Sequence, residues 1–415
     1  MSLPVRVVCA PLLLAASLAA QSLWSAPVFE TALNSTAADS GPHLSYDGLT
    51  LYFSSFRVGT VSNWEIFAST RAFPGGPWSA PVQVTELGST LTDDQPFLAV
   101  GDLEIYFAST RVGGAGGFDI LRSTRLSTAL PWDPPTFVTE LNSTGSESSF
   151  SMTADGLEAY MLTTGWGSPS GTSNQIFRST RASTAVPWGT PTLVTELSNA
   201  NTHRDCEIAP DGLSIVYTEF ISSRLKVLYA SRPDRVSPFA PPIVWTEFDT
   251  TGTASGVFGF TRSLAGDEAF LAAGFAATAG GQEIMSSRRS LFYGAGCGAP
   301  LPLALTCNVP VLGTDWDFTT ANIDPVSPIT VTFFGFAQAA VPLDVLGAPG
   351  CSAYVGSIVN SLAAANLGGT SLVTIPVPAD PGLMGFSLKG QSICLTLGNA
   401  LGLYTSNGVS GTVGL

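Results

Sequence analysis

A repeat of about 54 residues runs through the N-terminal two-thirds of the chain and restricts its fold more than any other feature. Trp24, Trp78, Trp132 and Trp188 are spaced by 54, 54 and 56 residues, and Phe239 follows 51 residues later. Each of these aromatic residues is followed within three positions by a proline. A fixed period of this length is typical of a chain that repeats one supersecondary unit.

Each copy carries the signals of four short β-strands. A pair of Asp and Gly precedes an alternating apolar strand, and this pair favours a hairpin because glycine accepts a positive φ. The turns are Asp47-Gly48, Gly101-Asp102, Asp155-Gly156, Asp211-Gly212 and Gly266-Asp267. The alternating strand is Leu49–Phe53 in the first copy, and a last strand ends in arginine, as in Ile66–Arg71. Four strands per period predict one propeller blade, so we expect an all-β chain with a five-bladed β-propeller over residues 21–292.

The repeat also resembles a known family. Residues 42–71 contain Asp47-Gly48-Leu49, Tyr52-Phe53-Ser54-Ser55 and Ile66-Phe67, which are similar to the TolB-type, WD-like β-propeller repeat of exported bacterial proteins. The resemblance extends over about residues 24–290 and implies a propeller fold. Copies three to five depart from it, since Phe-Ser-Ser-x-Arg becomes Met161-Leu-Thr-Thr-Gly165 and then Tyr217-Thr-Glu-Phe220.

The spacing of the copies predicts how the propeller closes. Segment 24–33 has no preceding strands of its own, and the fifth copy lacks an outer strand after Arg288. We therefore expect segment 24–33 to pair with strand 283–288 and remove an exposed sheet edge. Each strand-ending arginine is also followed by a glutamate fifteen residues later, which predicts structural ion pairs on the surface. The predicted pairs are Arg71 with Glu86, Arg125 with Glu140, Arg181 with Glu196 and Arg232 with Glu247.

The first twenty residues predict export. Arg6 gives a positive start, residues 7–20 are apolar, and Ala19 or Ala20 fits a cleavage site. This pattern is typical of a signal peptide over 1–20, which would remove Cys9. We expect the mature protein to be secreted, cell-surface or periplasmic, with no membrane span.

The last part of the chain, residues 297–415, lacks the repeat. Alternating segments such as Ile329–Phe334 and Ser371–Ile375 predict a β-sandwich-like domain, and Ser361–Asn366 is the best candidate for a short helical turn. Segments such as Tyr293-Gly-Ala-Gly-Cys297 resemble an uncharacterised C-terminal module of secreted bacterial proteins. Cysteines cluster here, which in an exported chain predicts two disulfides. The four are Cys297, Cys307, Cys351 and Cys394, for which we favour the pairs Cys297–Cys307 and Cys351–Cys394 and leave Cys206 as a buried free thiol.

The charge of the chain limits the classes of partner that it can bind. The net charge is −14, and Lys226 and Lys389 are the two lysines. A chain without a basic stripe is a poor match for nucleic acid or for an anionic membrane surface. The expected partner is therefore an extracellular or periplasmic protein or glycan.

Acidic residues recur near the start of the innermost strand of each blade. Asp39, Asp93 and Glu147 occupy one repeat position, Asp94 and Asp205 lie within two residues of it, and His203 takes its place in copy four. With His43 and Glu207, these residues form the candidate ligand site at one mouth of the channel. Such carboxylates could bind Ca²⁺ or act as the acid and base of a glycosidase, although they also suit a loop that enters a strand. Trp64 and Trp166 lie outside the Trp series, where an aromatic ring either packs or stacks on a sugar.

No motif for a cofactor or for nucleophilic catalysis stands out. We therefore expect a non-enzymatic, exported propeller that binds protein or glycan and has no cofactor. The alternative is a glycoside hydrolase that uses the carboxylates at the channel mouth.

Overall fold

The computed structural model describes residues 24–57, 63–169, 173–248, 256–264, 266–274, 281–383 and 386–413. These residues form an all-β β-propeller followed by a second group of β-strands. The predicted signal peptide, residues 1–20, lies outside the described residues. No helix in these ranges is long and apolar enough to cross a membrane.

The N-terminal part is built from antiparallel units of four strands. Unit one consists of β2 (Asp39–Leu44), β3 (Thr50–Ser55), β4 (Glu65–Thr70) and β5 (Val82–Gln83); unit two of β6 (Asp93–Leu98), β7 (Glu104–Ser109), β8 (Asp119–Thr124) and β9 (Thr136–Phe137); unit three of β10 (Glu147–Met152), β11 (Glu158–Thr163), β12 (Gln175–Thr180) and β13 (Thr192–Leu193). Unit four consists of β14 (His203–Ile208), β15 (Ser214–Ile221), β16 (Arg224–Ser231) and β17 (Ile243–Val244), and unit five of β18 (Gly256–Arg262), β19 (Glu268–Gly274), β20 (Gln282–Arg288) and the N-terminal β1 (Val28–Phe29). Short 3-10 helices lie at Thr195–Leu197 and Thr246–Phe248. One parallel bridge, Leu225 to Gly256, joins units four and five into an eight-stranded sheet.

The N-terminal strand lies where the spacing of the repeat places it. In β1, Val28 pairs with Ser286 and Phe29 with Met285 of β20. The first strands of the units contact one another in the cyclic order β2, β6, β10, β14, β18 and back to β2. Apolar side chains fill the spaces between neighbouring units. For example, Tyr52 and Leu87 of unit one pack with Phe107 and Trp132 of unit two.

The repeated spacing of arginine, turn and aromatic residue within the chain has a local structural cause. The Nε of Arg71 donates to the carbonyl of Gly48 at 2.7 Å, and its guanidinium lies 4.4 Å from the ring centroid of Trp78. The arginine thus ties the hairpin turn to the aromatic residue that follows. The same hydrogen bond and ring contact occur for Arg125 with Asp102 and Trp132, Arg181 with Gly156 and Trp188, Arg232 with Gly212 and Phe239, and Arg289 with Gly266 and Trp24. In unit five this residue is Arg289, whereas the spacing of the repeat assigned Arg288 to this position.

The ion pairs predicted at a spacing of fifteen residues are wrong. In the described structure, Arg71 pairs with Glu268 and Arg232 with Glu158, each on a neighbouring unit. The side chains of Glu140 and Glu196 instead accept the backbone N–H of Trp188 and Phe239. Sequence spacing counted along one unit misses these partners because the units meet side by side.

The C-terminal part forms two sheets. One contains β21 (Leu291–Tyr293), β28 (Leu403–Thr412), β27 (Ser387–Leu395), β24 (Ile329–Pro342) and β25 (Ser352–Ala365), and the other contains β22 (Ala304–Cys307), β23 (Asp315–Ala321) and β26 (Thr370–Pro376), with short 3-10 helices at Asp344–Leu346 and Pro381–Leu383. Trp316 and Phe318 of the smaller sheet pack on Phe334 and Val409 of the larger one. The helical turn expected at Ser361–Asn366 is wrong, because residues up to Ala365 belong to β25 and pair with β24.

The disulfide pairing differs from both predicted pairs. Cys297 is bonded to Cys351, with their Cα atoms 5.0 Å apart, and Cys307 and Cys394 are free thiols. Cys307 ends a strand of the three-stranded sheet, Cys297 lies between strands β21 and β22, and Cys394 lies within β27 of the other sheet. Cys206 is a buried free thiol, as expected.

Candidate functional site

Four of the predicted site residues begin the innermost strands, but the structure buries them: Asp39, Asp93, Glu147 and His203. Asp39 is 0% exposed, and its carboxylate accepts hydrogen bonds from the Nη2 of Arg57 at 2.6 Å and the backbone N–H of Ser35 at 2.7 Å. Asp93 is equally buried and accepts from the Nη2 of Arg111 at 2.6 Å. These bonds stabilise the turn that leads into each strand, since the carboxylate satisfies donors that the turn leaves open.

Units three and four use the same position with different partners. Glu147 is 0% exposed and accepts from the hydroxyls of Ser143 at 2.6 Å and Thr163 at 2.7 Å. His203 is also fully buried, with its Nε2 3.6 Å from the Oε2 of Glu219. Burial alone would raise the pKa of Glu219, but the nearby imidazole of His203 and hydrogen bonds from the side chains of Asn199 and Asn201 hold it below its usual value. The position is thus internal in all four units.

The next residues of the inner strands form a hydrogen-bonded layer across the propeller axis. The side-chain amide of Gln95 donates to the carboxylate of Asp205 at 3.4 Å and its carbonyl accepts from the N–H of Ser149 at 2.9 Å. The other carboxylate oxygen of Asp205 accepts from the N–H of Gly259 at 2.6 Å. The cavity among these residues measures about 30 Å³, which is room for about one water molecule.

Two aspartates of this layer, Asp94 and Asp205, have raised pKa values. Burial raises the pKa of Asp205 to about 7, the N–H of Gly259 opposes the shift, and the nearby Asp94 adds to it. Burial also raises the pKa of Asp94. The described residues contain no group of three or more His, Cys, Asp or Glu side chains arranged to hold a metal ion.

The two tryptophans considered for sugar stacking pack against the protein. The ring of Trp64 lies 4.2 Å from that of Phe56, and the indole N–H of Trp166 donates to the carbonyl of Leu141 at 3.0 Å. Both side chains are half-buried. These contacts identify both tryptophans as packing residues.

His43 and Glu207 adjoin this layer and lie near the other ends of their strands, where hairpin turns surround an open cavity. We call this the turn-face cavity. It measures about 350 Å³ and is lined by His43, Leu44, Ser45, Tyr46, Phe97, Glu207, Ile208, Ala209, Pro210, Asp211, Ser214, Arg262, Ser263, Leu264, Gly266 and Arg289. The Nδ1 of His43 is 3.6 Å from the Oε2 of Glu207. The imidazole is 7% exposed, and its Nε2 has no hydrogen-bond partner among the described residues.

A second cavity of about 410 Å³ adjoins the first. The two share Tyr46, Ser263, Leu264 and Arg289, and the second extends between units one and five past Arg71 and Glu268 to Thr412. Together they form a continuous concave surface on the face that carries the hairpin turns.

Sequence analysis missed the two arginines of the turn-face cavity. Arg262 ends the inner strand of unit five, at the position that Leu44, Leu98 and Ile208 occupy in other units. An alignment of the five copies shows an arginine at a position that is otherwise aliphatic and buried, and this difference is the signal that could have identified it. Its significance depends on the neighbouring unit, which only the fold brings next to it.

No protein-family model matches the chain, and no curated protein is similar to it in sequence. Several solved structures are similar to the chain at low sequence identity. A TolB protein from Agrobacterium tumefaciens is 12% identical with a TM-score of 0.39, and the match covers 71% of this chain and 79% of that one. A thermostable family-43 glycoside hydrolase is 13% identical with a TM-score of 0.43, over 64% and 93% of the two chains. An exo-β-1,3-galactanase from Phanerochaete chrysosporium is 9% identical with a TM-score of 0.40, over 94% and 99%.

Proposed function

We propose that this chain is an exported, non-enzymatic binding module, a five-bladed β-propeller closed by its N-terminal strand, which recognises a protein or a glycan. The signal peptide over 1–20 would export it, and a β-sandwich-like domain over 297–415 follows the propeller. The pairing of β1 with β20 and the contact of Arg289 with Trp24 support the closure.

One observation carries the binding role. The polar residues that depart from the repeat pattern meet at the turn-face cavity, whereas the polar residues that follow the pattern are bonded internally. His43 and Glu207 share one repeat position, which the other units fill with Phe97, Ser151 and Thr261. Arg262 occupies a position that is apolar in the other units, and His43, Glu207 and Arg262 all line this cavity. A concave site with a few convergent polar groups is the usual form of a ligand pocket.

The burial of the inner-strand carboxylates weakens the alternative, a glycoside hydrolase. Such an enzyme needs two carboxyl groups about 5–9.5 Å apart in an open cleft. Asp39, Asp93 and Glu147 are each 0% exposed and bonded within their own unit. They cannot reach a glycosidic bond without breaking those contacts.

Capture experiments on the mature chain, residues 21–415, test the proposal. Immobilised protein should retain a defined glycan from an array or a defined extracellular protein, and no reducing sugar should be released. A variant with His43→Phe and Glu207→Ser takes both side chains from other units of the same repeat and should lose the captured ligand. Unchanged capture by this folded variant would exclude the turn-face cavity, and release of sugar would instead favour the hydrolase.

A further inference from the structure

The turn-face cavity contains two arginine side chains held against tryptophan rings. The guanidinium of Arg289 lies 4.7 Å from the ring centroid of Trp24, and that of Arg262 lies 6.0 Å from Trp245. The two indole rings are 6.3 Å apart. Stacking on a ring orients a guanidinium while leaving its N–H edge available to a ligand.

The two arginines differ in the hydrogen bonds that their guanidinium groups make within the protein. Arg289 donates its Nε to the carbonyl of Gly266, as the equivalent arginine does in every other unit. No hydrogen bond or ion pair with the described residues engages the guanidinium of Arg262. Burial lowers the pKa of both side chains, and the charge of Arg262 further lowers the pKa of Arg289. Two neighbouring positive charges are thus kept inside a chain whose net charge is −14.

Hydrogen-bond acceptors line the same cavity. Glu207 and Asp211 present carboxylates, whereas the hydroxyls of Ser45 and Ser263 are hydrogen-bonded within their own hairpin turns. The Nε2 of the buried His43 adds a group without a partner among the described residues. Carboxylates accept hydrogen bonds from hydroxyl groups and repel a ligand that is anionic throughout. The cavity therefore matches a ligand that has one anionic group and several hydroxyls.

We propose that the turn-face cavity binds a uronate, a sugar ring that carries a carboxylate. Arg262 and Arg289 hold the carboxylate, a group whose planar shape matches the guanidinium fork. Glu207 and Asp211 accept from the ring hydroxyls. The volume of about 350 Å³ lies near the lower end of the range for small-molecule pockets, which suits a single ring. This inference rests on the proposed function and specifies its ligand as an acidic glycan.

The repeat supplies a variant that removes the charge without changing the fold. Arg262→Leu places leucine where Leu44 stands in unit one, so the backbone environment is already known to accept it. The matched control is Arg204→Leu, which removes an exposed positive charge at the far end of β14. Circular dichroism and the melting temperature establish that both variants are folded.

Isothermal titration of the mature chain with galacturonate, with neutral galactose and with inorganic phosphate tests the inference. We expect galacturonate alone to bind, an affinity loss of about tenfold or more in Arg262→Leu, and no more than a twofold change, roughly, in Arg204→Leu. Equal binding of galactose, binding of phosphate as tight as that of galacturonate, or an unchanged affinity in Arg262→Leu would overturn it. No binding of galacturonate would overturn it too, while capture of another glycan or a protein would leave the proposed function standing.

Discussion

Arg71 donates two parallel hydrogen bonds to Glu268, although 197 residues of chain separate them. The Nη1–Oε1 distance is 2.9 Å and the Nη2–Oε2 distance is 2.5 Å. Arg71 belongs to unit one and Glu268 to unit five, so this ion pair joins the first unit to the last. The side chains are 1% and 8% exposed, which shields the pair from solvent.

Removing one partner of this pair should be costly. Glu268→Gln leaves the buried Arg71 guanidinium without its counter-charge and should lower the free energy of unfolding by about 3–5 kcal/mol. The control is Glu104→Gln at the same repeat position, where the ion pair with Arg122 is partly exposed, and we expect a loss of about 1 kcal/mol or less. Urea denaturation of both variants measures the difference, and equal losses would contradict a special role for the Arg71–Glu268 pair.

The N-terminal segment should support the whole propeller. Trp24 is 4% exposed and packs on Trp245 and Phe248, so Trp24→Ala should cost about 3–5 kcal/mol. Deletion of residues 21–34 should abolish cooperative unfolding of the propeller rather than fray one end. Calorimetry checks both, with Trp64→Ala as the control for a half-buried tryptophan. A truncated chain that melts as the wild type does would refute the proposed closure.

The cysteines should show one disulfide in the mature chain. Alkylation of the denatured chain without reductant, followed by mass spectrometry, should label Cys206, Cys307 and Cys394 and leave Cys297 linked to Cys351. The double variant Cys297→Ser with Cys351→Ser should lose about 2–4 kcal/mol of stability, since the bond closes a loop between residues 54 apart. Cys307→Ser is the control. A second bridge between Cys307 and Cys394 would contradict the structure.

Stability should depend on the ionisation of Asp205. Its pKa is raised from 3.8 to about 7, so the folded chain keeps a proton that the unfolded chain releases between these pH values. The contribution of the protonated Asp205 to the stability of the folded chain is therefore complete below pH 4 and is lost as the pH rises through 7. Asp205→Asn carries no charge and should be more stable than the wild type at pH 8 by up to about 4 kcal/mol.

The difference between Asp205→Asn and wild type should disappear towards pH 4. Melting temperatures measured from pH 4 to pH 8 check this, with Glu86→Gln as a control at an exposed carboxylate. A difference in melting temperature that stays constant from pH 4 to pH 8 would show that the hydrogen bonds of Asp205, rather than its charge, determine the effect of the substitution.

The sequence by itself determined the period, the strands and the place of the N-terminal segment. Turn residues such as Asp47 and Gly48 determine the backbone conformation of their immediate neighbours. The segment around Trp24 could complete only the fifth repeat, because that repeat alone lacks an outer strand. These features depend on local backbone geometry and on spacing along the chain, which a single sequence displays directly.

Tertiary structure alone decided which side chains meet. Arg71 pairs with Glu268 rather than Glu86, and Cys297 with Cys351 rather than Cys307, because partners are set by which strands lie next to each other in space. The same holds for the cavity: His43, Glu207 and Arg262 come from units one, four and five. Their repeat positions were visible in the sequence, but the packing of inner strands around one axis brings them together.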